Sequence, residues 1–364
     1  MINVTKTFLP PFEDYAAILK RAWDKGWITN NGELVQELEA KLKVYLGVKN
    51  LLFTNNGTFP LQMALKVFNI TGEVITTPFS YVATTNAILW EGCQPVFVDI
   101  DPNSFCINAD KIEAAITPAS QAILATHVYG IPCEIEKIQA IADKHNLKVI
   151  YDGAHAFGCI YKGRSLLSYG DISTCSFHAT KIFHTVEGGC IITNNKEVND
   201  KLSLYRSFGH ISDDYFSVGV NGKNSEMHAA MGLAIFPKIP CIIAARKKIF
   251  EFYDTLLTLE IDRLKYGADG LEYNFSYYPI VFPSQDILVS MKDLLMQNNI
   301  FPRRYFWPSL NTLSYLKEQT SCPVSEDISS RVLCLPIYED LQYVDIKRIC
   351  GMINNCYSAK VHGS

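Results

Sequence analysis

Seven short apolar runs, separated by segments of helical length, constrain the fold of this 364-residue chain more than any other feature. The segments between the first five runs have the residue spacing of helices. Near-continuous apolar strands that alternate with helices are typical of a mostly parallel sheet covered on both faces. We therefore predict an α/β fold with a mostly parallel central sheet. The predicted strands are 51–54, 73–76, 96–99, 121–126, 148–152, 173–177 and 190–193, and the intervening helices are 58–68, 82–90, 109–116 and 135–145.

The two ends of the chain have a different pattern. Two helices precede the first strand, at 12–25 and from about 34 to Gly47. Beyond about residue 245 a long helix leads into a strand rich in Tyr and Phe, and two more helices and a strand follow. We predict a large domain over 1–245 and a smaller C-terminal α/β domain over 246–364. The predicted elements of the smaller domain are 240–257, 274–282, 286–297, 332–335 and 343–355.

Composition excludes several classes of function. Hydrophobic residues make up 48% and charged residues 19% of the chain, as expected for a globular protein with a sizeable core. The formal net charge is −4 and the basic residues are scattered. Binding to a nucleic-acid backbone needs a clustered positive surface, so nucleic acid is not expected as a partner.

The cysteines and the N-terminus indicate a cytoplasmic protein. The eleven cysteines are an odd number, include no Cys-x-x-Cys pair and fall partly inside apolar runs. Reduced core thiols fit this pattern better than disulfides of a secreted protein. We find no signal sequence and no run of 18 apolar residues, so we expect neither secretion nor a membrane span.

Ligands of parallel sheets bind beyond the carboxyl ends of the strands, so the residues that follow each strand are the candidates for chemistry. Lys181 follows the run 173–177 and precedes a turn at Gly188 and Gly189. A lysine that loses hydration has a lowered pKa and becomes a nucleophilic amine suited to Schiff-base chemistry. Taken alone, a surface lysine on a turn is the simpler interpretation of this residue.

Three other strand ends carry polar or aromatic side chains. Gly57 and Thr58 open a helix and are suited to bind an anion or a phosphate, although an N-cap with a turn glycine is the simpler interpretation. An aromatic of the stretch 77–84 is placed to stack on a flat ring, although packing in the core is the simpler interpretation. Asp152, close to His155, is compatible with a catalytic pair, a metal site or a structural carboxylate.

Several familiar sites are missing. The chain has no Walker-type lysine motif, no Gly-x-Gly-x-x-Gly, no Gly-x-Ser-x-Gly and no regularly spaced metal ligands. A nucleoside triphosphate, a Rossmann dinucleotide, serine hydrolysis and a metal centre are therefore disfavoured. A phosphate site, a stacking aromatic, a strand-end carboxylate and a strand-end amine together suit pyridoxal 5′-phosphate.

Seven short motifs follow one another along nearly the whole chain. They are 27–32 (WITNNG), 77–84 (TPFSYVAT), 98–101 (VDID), 151–156 (YDGAHA), 176–181 (SFHATK), 187–189 (EGG) and 219–230 (GVNGKNSEMHAA). In these motifs the chain resembles the DegT/DnrJ/EryC1/StrS family of sugar-nucleotide aminotransferases, and the resemblance implies the fold of type I pyridoxal-phosphate transferases, similar to aspartate aminotransferase. It is nearest to the subgroup that acts on dTDP-4-keto-6-deoxyhexoses, and more loosely resembles the 3-keto enzymes.

The resemblance implies a role for each cofactor contact. Lys181 would hold pyridoxal phosphate through its amine, and Asp152 would pair with the pyridine nitrogen. Tyr81 would stack on one face of the ring and His155 would lie on the other. The residues that match the phosphate contacts are Gly57, Thr58 and Ser176.

The resemblance also implies substrates and a partner. Asn221 would reach the phosphate of a neighbouring subunit, which implies a homodimer with shared active sites. Lys223 stands where the family often has Arg, so a cation is kept but the bidentate fork is lost. Lys223, Arg303 and Arg304, with Tyr305 as a neighbour, are candidates for binding the nucleotide diphosphate, and a solvated charged face is the alternative. Glutamate is the expected amino donor.

The expected product is dTDP-4-amino-4,6-dideoxy-D-glucose, made from the dTDP-4-keto-6-deoxy sugar for surface polysaccharide or O-antigen synthesis. Amination at C3 and a non-catalytic binding or regulatory protein on the same fold are the alternatives, and the nucleotide is open between dTDP, UDP and GDP. A branch of the family that dehydrates sugars carries His in place of the lysine, so Lys181 argues against that activity.

Overall fold

The strands of the computed structural model, which describes residues 1–257, 262–264, 269–318 and 320–361, form one large sheet and several small ones. In chain order they are β1 (Ile2–Asn3), β2 (Asn50–Thr54), β3 (Glu73–Thr76), β4 (Gln94–Phe97), β5 (Ser120–Thr126), β6 (Lys148–Asp152), β7 (Ile160–Tyr161), β8 (Arg164–Ser165), β9 (Ile172–Ser176), β10 (Gly189–Thr193), β11 (His210–Ile211), β12 (Asp214–Tyr215), β13 (Asp262–Arg263), β14 (Leu271–Glu272), β15 (Tyr278–Val281), β16 (Ile300–Phe301) and β17 (Val332–Leu335).

Helices cover the large sheet and build most of the two chain ends. They are α1 (Phe12–Lys25), α2 (Glu33–Leu46), α3 (Phe59–Val67), α4 (Val82–Trp90), α5 (Ala109–Ile112), α6 (Ile135–His145), α7 (Lys196–Arg206), α8 (Glu226–Ile235), α9 (Ile239–Leu256), α10 (Gln285–Gln297), α11 (Pro323–Arg331) and α12 (Tyr343–Val361).

The large sheet has seven strands in the order β2-β10-β9-β6-β5-β3-β4. Every neighbouring pair is parallel except the two pairs that β10 makes, with β2 and with β9. The strand residues are almost all buried, because helices lie on both faces. The predicted α/β fold with a mostly parallel sheet is confirmed.

The strand register brings the strand ends together at one edge. Thr126 at the end of β5 lies opposite Asp152 at the end of β6, and Asp152 lies opposite Thr174 of β9. Because β10 runs the other way, its first residue, Gly189, sits at this same edge between Thr54 and Ser176. The residues that follow the six other strands of the large sheet, and those that precede β10, therefore surround one region.

The C-terminal part of the chain has its own small sheet of β13, β15 and β17, and its helices α9 and α10 both pack against α12. The N-terminus contributes to this part as well, since β1 pairs in parallel with β16. The boundary predicted between residues 245 and 246 falls inside the continuous helix α9. The division into domains 1–245 and 246–364 stays a prediction.

Most predicted elements occur within one or two residues of their expected positions, but three helices were not predicted. These helices are α7, α8 and α11. Helix α8 is apolar on nearly all sides because it is buried, so its sequence has no amphipathic period. Helix α7 is mostly polar and buries only Leu202 and Arg206, which leaves a weak apolar stripe.

One helical stretch, Glu226–Leu256, is long and apolar enough to cross a membrane by length and composition alone. It comprises α8 and α9, and buried core helices meet the same criterion. Two of its charged side chains are buried and paired inside the protein: Glu226 binds the start of α2, and Arg246 binds Glu339. We interpret this stretch as part of the core, and the absence of membrane association stays a prediction.

All eleven cysteines are free thiols, and nine of them are buried. This agrees with the prediction of reduced core thiols. The expected cytoplasmic location remains a prediction.

Candidate active site

The loop between β9 and β10 carries Lys181 to the edge where the strand ends meet. The loop is closed at its base by a hydrogen bond from the Phe177 N–H to the Gly188 carbonyl oxygen, at 2.8 Å. A turn within it, from the Lys181 N–H to the His178 carbonyl oxygen at 2.9 Å, presents the lysine side chain inward. Lys181 thus follows Ser176, the last residue of β9, by five residues, as expected for a lysine that comes after its strand.

The amine of Lys181 lies in a half-buried pocket and donates a hydrogen bond to the Tyr277 hydroxyl at 3.2 Å. Loss of hydration lowers the pKa of Lys181 below its ordinary value, while the negative charge of Asp152 acts in the opposite direction. A lysine with a lowered pKa supplies more neutral amine at neutral pH, which is the nucleophilic form.

Asp152, the last residue of β6, is a buried carboxylate with both oxygens hydrogen-bonded. Its Oδ2 accepts from the Thr84 hydroxyl at 2.7 Å, and its Oδ1 accepts from the Ala154 N–H at 3.0 Å. The side chain is 5% exposed. These donors fix the carboxylate in one orientation and stabilise its charge.

His155 is buried beside the lysine with a defined tautomer. Its Nδ1 accepts a hydrogen bond from the Tyr129 N–H at 3.2 Å, so the proton of the neutral ring is on Nε2. Burial, with a smaller effect of Lys181, holds the pKa of His155 well below its ordinary value. The imidazole is therefore neutral at physiological pH and stacks on the Phe306 ring with centroids 5.6 Å apart.

Aromatic side chains from the C-terminal part of the chain close the pocket. The rings of Tyr277 and Tyr305 are perpendicular with centroids 5.8 Å apart, and both residues line the same pocket as Lys181 and His155. Burial raises the pKa of Tyr305 to about 12, so its phenol is neutral. The Tyr129 hydroxyl donates to the Tyr305 carbonyl oxygen and ties this segment to the large sheet.

Gly57 and Ser176 lie in direct contact at the start of α3. A Cβ on Gly57 would lie 2.7 Å from the Ser176 Cβ and 2.9 Å from its Oγ, so only glycine fits without a shift. The Ser176 Oγ accepts a long hydrogen bond from the His178 N–H, at 3.4 Å, and its proton remains able to donate to an anion. This close approach makes the cradle in which a phosphate is expected to bind.

Thr58 occupies the N-cap position of α3, but its side chain makes no capping hydrogen bond. The Asn56 side chain supplies the cap, because its Oδ1 accepts from the N–H groups of Thr58 at 2.9 Å and Phe59 at 2.8 Å. The exposed Thr58 side chain is therefore available to bind a ligand. The predicted phosphate contacts of Gly57, Thr58 and Ser176 stay predictions.

Of the two aromatics in the stretch 77–84, Phe79 is fully buried in the core, whereas Tyr81, which precedes α4, is 60% exposed. Its phenol is near enough to Lys181 to influence the pKa of that amine. An exposed aromatic beside the pocket is consistent with stacking on a ring, and that role stays a prediction.

Asn221 and Lys223 lie on the far side of the cradle. The Asn221 side chain is exposed, and the neighbouring Gly222 carbonyl oxygen accepts from the Asn55 N–H at 3.0 Å. Lys223 is half-buried over the Phe208 ring, with its Nζ 4.9 Å from the centroid. Burial and the positive charge of Arg206 lower the pKa of Lys223. Their predicted roles at a shared site are untested within one chain.

Arg304 is largely engaged within the protein. Its NH2 donates to the carbonyl oxygens of Ser329 at 3.2 Å and Ser330 at 2.9 Å, at the end of α11. Its guanidinium also stacks on Trp307, with Cζ 3.8 Å from the ring centroid. The Arg303 Cζ lies 5.8 Å from the centroid of the Tyr305 ring. Binding of the diphosphate by Arg304 stays a prediction.

The sequence did not predict two contacts, one of Lys181 and one of Asp152. Tyr277 binds the amine of Lys181, and Thr84 binds the carboxylate of Asp152. Tyr277 belongs to the Tyr- and Phe-rich segment seen in the sequence, and Thr84 belongs to the 77–84 motif. Neither pattern indicates which of its residues points at the site.

These residues fit pyridoxal phosphate. The site combines a buried carboxylate, a partly desolvated amine, a neutral histidine and an exposed tyrosine beside a glycine–serine cradle that a Cβ would fill. A mostly parallel α/β sheet with this set at its edge defines the type I class of pyridoxal-phosphate transferases.

Comparison with known proteins agrees with this class. The chain belongs to the DegT/DnrJ/EryC1/StrS aminotransferase family, whose model matches residues 13–354. It is an aminotransferase, and the residues of its site fit pyridoxal phosphate as the cofactor.

Individual relatives are similar over most of the chain. A dTDP-4-amino-4,6-dideoxy-D-glucose transaminase of Shigella dysenteriae is 42% identical over 348 residues, which cover 93% of this chain and 95% of that protein. The crystal structure of DesI in the presence of its TDP-sugar product is 30% identical, with a TM-score of 0.94, and covers 99% of this chain and 94% of DesI. The PMP form of a putative sugar aminotransferase, Spr1654 of Streptococcus pneumoniae, shares the fold at 23% identity with a TM-score of 0.90, and covers 98% and 99% of the two chains.

Proposed function

We propose that this protein transfers the amino group of glutamate to C4 of dTDP-4-keto-6-deoxy-D-glucose and forms dTDP-4-amino-4,6-dideoxy-D-glucose. The observation that carries the proposal is a partly desolvated Lys181 amine within electrostatic reach of the buried Asp152 carboxylate, in a chain that is 42% identical to a transaminase named for this sugar. Likeness to a structure that contains a TDP-sugar supports the nucleotide.

The chemistry divides between the cofactor and the residues around it. Pyridoxal phosphate, when bound, supplies an electron sink for the substrate carbon that loses a proton. Asp152 would keep a proton on the pyridine nitrogen, since an ion pair at about 4 Å in an effective dielectric of about 20 gains about 4 kcal/mol before desolvation. The Lys181 amine would remove and return the proton at the reacting carbon, and Tyr277 orients that amine.

The nucleotide would bind at the mouth of the pocket. Lys223, Arg303 and Arg304 are the cations proposed for the diphosphate, with Tyr305 beside them. Lys223 is half-buried, and the loss of hydration lowers its pKa. An anion bound beside Lys223 would stabilise the ammonium charge in place of the lost water, so the interaction would be stronger there than at a fully hydrated lysine.

The proposed assembly is a homodimer in the cytoplasm, with Asn221 directed at the partner's cofactor phosphate. An exposed apolar surface around this residue supports the proposal. Phe208, Phe216, Val218 and Val220 are 50%, 62%, 83% and 47% exposed in the segment that leads to Asn221. Such a patch is unusual on a monomer and typical of an interface.

A role in O-antigen or other surface polysaccharide synthesis follows from the proposed product.

Product analysis tests the proposed function. The purified protein is incubated with glutamate and the dTDP-, UDP- or GDP-linked 4-keto-6-deoxy sugar, and the products are identified by mass spectrometry and NMR. We expect an amine at C4, formed fastest from the dTDP sugar. An amine formed only from a 3-keto sugar, or no amine from any sugar with cofactor bound, would contradict the proposal.

A further inference from the structure

Three hydroxyl groups form a buried chain that ends on Asp152. The Thr84 Oγ1 lies 2.7 Å from Asp152 Oδ2, the Ser80 Oγ lies 2.8 Å from Thr84 Oγ1, and the Thr126 Oγ1 lies 3.0 Å from Ser80 Oγ. The three hydroxyl residues are at most 1% exposed. They come from three places in the sequence: the loop after β3, the first turn of α4 and the end of β5.

The donor and acceptor of each hydrogen bond in this hydroxyl chain follow from counting protons. An ionised carboxylate only accepts, so the single proton of the Thr84 hydroxyl goes to Asp152. Ser80 must then donate to Thr84, and Thr126 must donate to Ser80, because each hydroxyl has one proton. All three dipoles therefore point the same way, towards the carboxylate, and each polarises the next.

The charge state of Asp152 decides whether this arrangement persists. If Oδ2 carried a proton, it would compete with Thr84 as the donor and the directed chain would lose its acceptor. A charge-assisted hydrogen bond is about twice as strong as a neutral one, so the hydroxyl chain favours the ionised form of the Asp152 carboxylate. Water cannot substitute for these donors without entering a buried site.

We propose that Thr84, supported by Ser80 and Thr126, is a positioning residue that keeps the Asp152 carboxylate ionised and oriented for the pyridine nitrogen of the cofactor. This inference rests on the proposed pairing of Asp152 with that nitrogen. The three hydroxyl residues do not themselves need to contact the cofactor or the sugar.

Other titratable groups also face Asp152, and the test must leave them in place. Among the described residues these are Lys181, Cys175 and Tyr277, from the β9–β10 loop, from β9 and from the segment before β15. None of them is altered in the variants below, so a change in the cofactor signal reports the hydroxyl chain.

The neighbouring Thr85 provides a matched control. It is as buried as Thr84, at 0% exposure, but its Oγ1 has no hydrogen-bond partner in the described part of the protein. Thr84→Val and Thr85→Val make the same chemical change one residue apart. Only the first removes a donor to Asp152.

The experiment loads each full-length variant with pyridoxal phosphate that carries ¹⁵N in its ring and follows the ring-nitrogen NMR signal with pH. Cofactor affinity is measured in parallel by visible absorbance. We expect the ring nitrogen of Thr84→Val to lose its proton at a pH about 1 to 2 lower than in the wild type, with weaker cofactor binding. Thr85→Val should titrate as the wild type, and Thr84→Ser should restore the wild-type titration.

Asp152→Asn distinguishes failure of the inference from failure of the proposed site. If Asp152→Asn loses the ring proton while Thr84→Val titrates as the wild type, the hydroxyl chain has no such role and the inference is overturned. If Asp152→Asn also leaves the signal unchanged, the pairing of Asp152 is itself wrong and the inference falls with it. Should Thr84→Val not fold, Ser80→Ala tests the same chain: a smaller shift in the same direction supports the inference, and no shift overturns it.

Discussion

The Lys181 amine and the Tyr277 hydroxyl are joined by a 3.2 Å hydrogen bond across the two parts of the protein. The lysine comes from the loop that follows β9, and the tyrosine precedes β15 in the C-terminal part. A neighbouring acceptor holds a flexible side chain in one conformation, which places its amine for reaction. This bond couples the reactive amine to the packing of the C-terminal part.

Removal of the Tyr277 hydroxyl should slow the reaction without unfolding the protein. We expect Tyr277→Phe to lower kcat by about 3- to 10-fold, since one hydrogen bond to the amine is lost. The rate at which cofactor-free protein gains the visible absorbance of bound pyridoxal phosphate should fall as well. Both rates are measured by stopped-flow or steady-state absorbance.

Tyr278→Phe is the matched control for this prediction. The Tyr278 hydroxyl is bonded to Asp254 Oδ1 at 2.7 Å, away from Lys181. Equal rates for both variants and the wild type would show that the Tyr277 hydroxyl does not position the lysine.

Asp152→Asn should separate binding of the cofactor from its chemistry. The amide cannot hold the proton of the pyridine nitrogen, so we expect kcat to fall by about 100-fold or more while the phosphate still binds. Asp171→Asn changes a carboxylate at the other end of the sheet, where Oδ2 accepts from the Val149 N–H, and should keep near-normal kcat per folded protein. Near-normal turnover of Asp152→Asn would count against the assigned role.

Glu226 shows that part of a family-like motif has a structural role. Its two carboxylate oxygens accept from the N–H groups of Leu34 at 2.7 Å and Val35 at 3.0 Å, at the start of α2. The Glu226 side chain also packs closely against Gly32, because a Cβ at that position would lie only 2.6 Å from the Glu226 Cδ. The motifs 27–32 and 219–230 thus meet at a helix cap.

We expect Glu226→Ala to lower the free energy of unfolding by about 2 kcal/mol, because two buried N–H groups lose their acceptor. Glu251→Ala, which removes an exposed carboxylate 3.7 Å from Lys247, should change it by less than about 0.5 kcal/mol. Urea unfolding measures both. Similar values for the two variants would refute the capping role.

His127 should make stability depend on pH. It is fully buried, its Nδ1 accepts from the Cys133 N–H at 3.2 Å, and burial lowers its pKa to about 3. The unfolded state, with a pKa near 6.5, binds a proton as the pH falls while the folded state does not. The stability that comes from neutral His127 is therefore present above about pH 6.5 and is lost progressively as the pH falls towards 3.

Between pH 7 and pH 5 this loss amounts to about 2 kcal/mol, at 1.36 kcal/mol per pH unit below 6.5. His127→Asn keeps an acceptor near the Cys133 N–H but does not titrate. We expect the free energy of unfolding to fall by about 2 kcal/mol less for this variant than for the wild type over that range. The same pH dependence for both proteins would show that His127 is not the group responsible.

Patterns local in sequence predicted much of the fold and of the site. The alternation of apolar runs gave the strands of the large sheet, and short motifs contain Lys181, Asp152 and His155. Contacts between distant segments were not predictable in this way. Thr84 and Asp152 are 68 residues apart, and Lys181 and Tyr277 are 96 residues apart, so only the folded chain shows that they touch.

Competition between neighbouring groups explains the remaining errors. The side chain of Asn56, and not that of Thr58, caps α3, because it reaches forward to the N–H groups of Thr58 and Phe59. The NH2 of Arg304 is bound to carbonyl oxygens at the end of α11, which a charge count in the sequence does not reveal. Both outcomes depend on side-chain geometry.

The position of the cofactor bond tests the central claim most directly. The loaded protein is reduced with borohydride, which makes a cofactor–lysine bond permanent, and the digested peptides are located by mass spectrometry. We predict the label on Lys181 alone, and a folded Lys181→Ala protein without label, visible cofactor absorbance or transamination. A label on another lysine, or transamination retained by Lys181→Ala, would contradict the account.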